Sequence, residues 1–184
     1  LIGGAMANTF FRALGHDTGG SLVEPDRIDM ARELIERAGE KLVLPVDAVV
    51  TDRIEKGAAT RVVTLDAVAD GDIIIDVGPE TVALFTGLIG SAQTVVWNGP
   101  MGVFEIPAFA RGTIQVAKAL ADVCDRGAIG ITGGGDSAAA AEEAGVAHRL
   151  THVSTGGGAS LELLAGRALP GVESLNDKDD VEWP

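Results

Sequence analysis

The sequence predicts a Rossmann-like α/β fold: a mostly parallel, doubly wound sheet in a three-layer α/β/α sandwich. Three observations carry that expectation. Short Val- and Ile-rich runs alternate along the chain with longer segments of helical periodicity. The composition is aliphatic, with 46 % hydrophobic residues, 4 % aromatic ones and no Tyr, which suits layers of Val, Ile, Leu and Ala. Glycine, at 25 of 184 residues, is close to twice its usual share of roughly 7 %, and its clusters fall at expected strand ends. The length suits one domain with a sizeable core. Residues 1–172 are expected to form it, followed by an acidic tail over 173–184.

Leu1-Ile2 reads as a strand end, Gly3-Gly4 as a turn and Ala5–Leu14 as a short helix stopped by Gly15. The paired glycines permit close approach of something flat or charged, or serve only the turn. His16 is expected at the surface. Glu24-Pro25-Asp26 opens a second helix, whose Ile28, Ala31, Leu34, Ile35 and Ala38 recur on one face. Lys41–Leu44, Ala48–Thr51, Arg61–Leu65 and Asp72–Asp76 are short β-rich runs. Residues 52–71 carry turn residues and no long helix, which suggests a small antiparallel excursion from the main sheet.

Pro79 starts the next helix, with Val82, Leu84, Phe85, Leu88 and Ile89 as its apolar positions. Thr94–Trp97 is expected as a buried strand. It runs into Asn98–Glu105, a loop constrained by two glycines and a proline, at the strand end where open α/β sheets hold ligands. Asn98 and Glu105 suit bonds to a sugar or an amide; a turn residue and a solvated acid are the competing reading. Phe109–Asp125 is a helix with Ile114, Ala117, Leu120, Ala121 and Cys124 on one side. The lone Cys124 excludes an internal disulfide and suits a core thiol.

The chain is organised around Ala128–Ala140: a strand, then Gly133-Gly134-Gly135, then an alanine-rich helix with Glu142 and Glu143 on its solvent side. Consecutive glycines expose adjacent N–H groups where the backbone bends, and a helix start adds unpaired N–H groups and its positive dipole end. Together they seat an anion, most often phosphate; a plain strand–helix turn is the alternative. Asp136 at this mouth would repel bare phosphate, so it is either a helix cap or a ligand for magnesium carried on the phosphates. The same pattern recurs after the last strand, Leu150–Ser154, in Thr155-Gly156-Gly157-Gly158 and the helix that follows. Two mouths aimed at one point would stabilise charge from two sides. His152 lies in that strand and reads as a core or edge histidine.

A net charge of −13 without a basic patch argues against nucleic acid as a partner. No apolar run reaches the ~18 residues of a membrane span, and no signal-peptide pattern opens the chain, so a soluble cytoplasmic protein without a membrane partner is expected. A first residue of Leu within strand-like sequence suggests a piece of a longer protein. No Lys is preceded by Gly, which removes the Walker loop. Gly133, Gly135 and Ala138 satisfy the looser dinucleotide spacing, yet the next strand ends in Ser154-Thr155 rather than an acid for the ribose. An NAD-binding Rossmann domain and a non-catalytic interaction module remain as alternatives. The tail, with Asp177, Asp179, Asp180 and Glu182, is expected to be disordered or loosely attached, and Trp183 in it has no sequence-level explanation.

Five ordered segments resemble the phosphoglycerate kinase family: Gly3–Phe10, Asp76–Pro79, Val96–Glu105, Gly133–Ser137 and Ser154–Glu162. The resemblance spans Leu1 to about Val172. It implies the C-terminal, nucleotide-binding domain of an enzyme that exchanges phosphate between 1,3-bisphosphoglycerate and Mg-ADP, giving 3-phosphoglycerate and ATP. By that match Gly3 and Gly4 line the adenine pocket. Asn98, Pro100 and Glu105 hold the nucleotide, with Glu105 on the ribose. Gly133, Gly134, Gly135, Asp136 and Ser137 face the phosphates, and Asp136 binds Mg2+. Gly134, Gly135 and Gly157 would serve the transferring group, and His152, Ser154, Thr155 and Gly156 the hinge. The family's lysine-bearing Gly-Gly-Ala-Lys segment and its phosphoglycerate-binding domain are absent here, Ile74 stands where many members have Gly, and the tail does not match. The implied protein is a monomer, and this part alone is expected to be inactive.

Overall fold

The computed structural model describes residues 1–175. Trp183 and the four acidic residues singled out in the tail lie outside them.

Helix α1, Gly4–Leu14, ends at Gly15 in the left-handed conformation (φ +93°), which closes the helix with two backbone hydrogen bonds. A 3-10 turn at Pro25–Arg27 leads into α2, Ile28–Ala38. Strands β1 (Asp47–Thr51), β2 (Arg61–Thr64) and β3 (Ile73–Val77) form an antiparallel sheet in the order β2-β1-β3. This is the expected excursion, and it takes in β3 as well. Helix α3 (Pro79–Gly90) and strand β4 (Thr94–Trp97) follow, then α4 (Arg111–Cys124), β5 (Ile129–Gly133) and α5 (Gly135–Glu143). Strand β6 (His152–Ser154), α6 (Gly157–Leu164) and the short α7 (Pro170–Glu173) complete the described chain. Strands β4, β5 and β6 make the parallel sheet, with β5 central and its register running Thr94 opposite Ile129 and Ile131 opposite His152.

Two β-rich runs are not strands. Leu1-Ile2 and Lys41–Leu44 share one hydrogen bond, Ile2 N–H to Val43 C=O at 3.0 Å, and residues 39–41 turn as a 3-10 helix. A ladder needs a partner along its length. Strand β4 is likewise less buried than expected: Thr94 and Val96 are exposed, because only β5 pairs with it.

The largest core cluster lies around α3, α4 and α5, where Phe85, Leu120, Ala121 and Ala141 are sealed from solvent. Cys124 packs at its edge, against Gly130, where a Cβ would stand 2.2 Å from its Sγ. Helices α3 and α4 lack caps from their own flanking residues. Asp47 on β1 supplies one, accepting the Glu80 and Thr81 N–H groups at 3.0 and 2.8 Å. Asp76 on β3 supplies the other, accepting the Gly112 N–H at 2.6 Å. These long-range caps lock both helix starts to the antiparallel sheet.

Candidate functional site

Four segments build the site: the Gly3–Gly4 turn, the Asn98–Glu105 loop, the Gly133–Ser137 turn and Thr155–Gly158. The two glycine mouths come together. Gly134 precedes α5 at φ +102°, a conformation that favours glycine, and its N–H donates to Ser154 C=O at 2.9 Å. A Cβ on Gly157 would stand 2.8 Å from the Cα of Gly134. The first turns of α5 and α6 therefore lie side by side, which makes their positive dipole ends neighbours. Asn98 bridges them: its Nδ2 donates to Gly133 C=O at 2.8 Å and lies 3.2 Å from that same Gly157 position.

Ser137, almost fully buried, turns its hydroxyl oxygen to the Gly99 N–H at 2.6 Å. It thus ties the Asn98–Glu105 loop to α5. Asp136, one residue earlier, is exposed and makes no capping bond. Of its two sequence readings, the cap is not what the structure shows. Among the described residues no group of three or more His, Cys, Asp or Glu is placed to hold a metal. A cation here would take one oxygen from Asp136 and the rest from phosphate and water, which is how Mg2+ sits on a nucleotide. The residues fit that group.

On the other side of the loop, Gly4 (φ +62°) donates its N–H to Met101 C=O at 3.0 Å. A Cβ on Gly4 would stand 2.7 Å from Pro100 O, and one on Gly3 2.5 Å from Met101 Sδ. The glycine pair thus lets the Pro100–Met101 segment pack closely against the turn. These residues, with Asn98, Leu22 and Val96, line an apolar cleft of about 1080 Å³. Ile74 also lines it, while Glu105 and the Gly133–Ser137 turn lie outside that lining. Glu105 is exposed. Asn98 and Gly99 both line the cleft and bond the Gly133–Ser137 turn, Asn98 through Gly133 and Gly99 through Ser137.

His152 is exposed on β6, the outer strand of the parallel sheet, so it is an edge histidine. His16 is half-buried and bonds Asp66 through Nδ1 at 2.8 Å. Sequence reasoning passed over Asp76 and Thr113. Asp76 is 2 % exposed. Burial pushes its carboxyl up to about 6, against the Gly112 and Val77 N–H groups and the Arg111 charge, which favour the ionised form. The one available signal was an acid closing an apolar strand. Thr113 gave none.

A family model described as phosphoglycerate kinase matches residues 1–167. The chain belongs to the phosphoglycerate kinase family. All four site segments fall inside that match. The phosphoglycerate kinase of Lactobacillus delbrueckii subsp. bulgaricus is 54 % identical over 178 residues, covering 97 % of this chain and 43 % of that protein. That of Chloroflexus aggregans is 52 % identical over 182 residues, covering 97 % and 46 %. The solved phosphoglycerate kinase of Coxiella burnetii superposes with a TM-score of 0.86 at 44 % identity, over 93 % of this chain and 44 % of that one. The Pyrococcus horikoshii structure gives 0.77 at 32 % identity, over 93 % and 43 %. The chain thus spans under half the length of the phosphoglycerate kinases it matches. Among the described residues, no helix is long and apolar enough to cross a membrane.

Proposed function

We propose that this chain is the nucleotide-binding part of a phosphoglycerate kinase. The parent enzyme moves a phosphoryl group reversibly between 1,3-bisphosphoglycerate and Mg-ADP, giving 3-phosphoglycerate and ATP. The observation that carries the reading is the meeting of two glycine-opened helix starts at Gly134 and Gly157, bridged by Asn98. Such a seat suits a chain of phosphates, and the apolar cleft beside it suits a base.

In this reading Gly3, Gly4 and Pro100 bound the base, and Glu105 takes the ribose hydroxyls. Gly133 to Ser137 hold the phosphates, and Asp136 supplies the protein's oxygen to Mg2+. The metal, when bound, neutralises charge on the phosphate oxygens. Gly134, Gly135 and Gly157 serve the transferring group: Gly135 offers its backbone N–H, while Gly134 and Gly157, whose N–H groups bond Ser154 and Thr155 C=O, keep side chains out of the two mouths where charge builds. His152, Ser154, Thr155 and Gly156 form part of the hinge towards a domain that binds phosphoglycerate. Residues 1–172 make up the nucleotide domain. The enzyme is cytoplasmic and monomeric.

Calorimetric titration of the chain with ADP, with and without Mg2+ and with NAD as control, tests this. Metal-dependent ADP binding, weak in this chain alone, is the expected result, with no kinase turnover above a blank. Preference for NAD, or a folded sample that ignores ADP, overturns the reading.

A further inference from the structure

Met101 is held by two groups, Thr113, which lies outside the cleft lining, and Gly4, which belongs to it. Met101 donates its N–H to the Thr113 hydroxyl at 3.0 Å, and its C=O accepts the Gly4 N–H at the same distance. Thr113 is sealed from solvent in the first turn of α4. That turn is fixed on β3 by Asp76, whose Oδ2 accepts the Gly112 N–H at 2.6 Å. The fit there is close: a Cβ on Gly112 would stand 2.4 Å from Asp76 Oδ1. The loop touches β3 directly too, through Val103 N–H to Ile75 C=O at 2.8 Å. A Cβ on Gly102 would stand 2.7 Å from Asp76 Cα.

We infer that Thr113 is a positioning residue for the base-side wall of the cleft, setting the place of Pro100–Met101 and, through Met101, of Gly3–Gly4. The inference deepens the nucleotide reading and rests on it. A flat ring needs walls at a fixed separation, and these walls are backbone, so their placement cannot be corrected by a rotamer. Without the hydroxyl, the Met101 N–H is a buried donor lacking an acceptor. The loop must then move to satisfy it, and Gly4 moves with Met101. The phosphate side of the loop is tied separately, by Asn98 to Gly133 and Ser137 to Gly99. Losing Thr113 therefore damages base recognition and spares phosphate recognition.

The test titrates the full chain, Thr113→Val and Thr113→Ser with Mg-ADP and with Mg-pyrophosphate. In Thr113→Val, ADP affinity falls about tenfold or more, the scale of one unsatisfied buried donor. Pyrophosphate affinity stays within about twofold of the parent, and Thr113→Ser restores ADP binding, because the ties at Asn98 and Ser137 and the hydroxyl acceptor respectively are kept. Equal losses of both ligands, or no loss of ADP, overturn the inference. Hydrogen exchange on the parent chain supplies a second reading if Thr113→Val fails to fold. ADP slows exchange of the Met101 and Gly4 amides together, and an effect on one without the other overturns the coupling. A parent that ignores ADP overturns the nucleotide reading along with this one, whereas ADP binding by the parent with an unaltered Thr113→Val overturns this inference alone.

Discussion

Gly134 and Gly157 touch: the Cα of the first lies 2.8 Å from where the second would carry a Cβ. A side chain at Gly157 must displace the Gly134 backbone, whereas one at Gly134 would meet only ordinary contacts, the nearest at 3.6 Å. Gly157→Ala should therefore weaken Mg-ADP binding by about tenfold or more and cost about 1–3 kcal/mol of stability, since backbone must move. Gly134→Ala should cost about 1–3 kcal/mol through its strained φ alone. Gly158 has open space around it and no positive φ, so Gly158→Ala should leave the fold as stable as before or slightly more so. Calorimetric titration and urea unfolding of the three variants check this.

Asp136 is exposed and uncapped at the start of α5, and Glu142 is exposed near its end. Asp136→Ala should lower ADP affinity about tenfold in the presence of Mg2+ and little in EDTA, because it removes a metal ligand. Glu142→Ala should change neither. Equal effects of the two substitutions would reduce Asp136 to a general electrostatic role.

The raised carboxyl of Asp76 makes stability depend on pH. Its folded value of about 6 lies above the ordinary 3.8, so the folded chain holds this proton more tightly than the unfolded one. The contribution is greatest below about pH 4 and declines as pH rises through 6, with a full loss on the order of 3 kcal/mol. Other carboxylates titrate in the same range, so the readout is a difference. Urea unfolding of the parent and Asp76→Asn between pH 4 and 7.5 should show a flatter profile in the variant over pH 4–6.5. Parallel profiles would refute the assignment.

Asp47 is the more expensive cap to lose. Its carboxylate accepts from two backbone N–H groups of α3 and from the Thr81 hydroxyl at 2.6 Å, and both Asp47 and Thr81 are buried. Asp47→Ala should destabilise the chain by about 2–4 kcal/mol, since it orphans buried donors as well as removing a cap. Asp66→Ala, on an exposed carboxylate that bonds His16 alone among the described residues, should stay within about 0.5 kcal/mol. Thermal and urea unfolding separate the two.

The strand–glycine–helix joints were legible because they are local. Glycine at Gly134 permits a φ no other residue holds cheaply, and the alanine-rich run that follows can only be a helix. The antiparallel excursion was legible over residues 52–71 from turn residues alone. That β3 pairs with β1 in it was not, because a Val/Ile run does not record its partner. For the same reason Lys41–Leu44 looked like a strand and is not one, and Val96 looked buried and is exposed.

In the site, the places of the glycine turns and the residues that stand in them could be read along the chain, since N–H exposure at glycines and helix starts is a property of adjacent residues. That the two mouths meet is a matter of packing. So are the Asn98 bridge between them, the Met101–Thr113 bond and the Asp76 cap on the start of α4, and so is the absence of a capping bond at Asp136. The physical reason is separation along the chain. Asp76 and Gly112 are 36 residues apart and Asn98 and Gly133 are 35 apart, and contacts of that range exist only once the sheets and helices have packed.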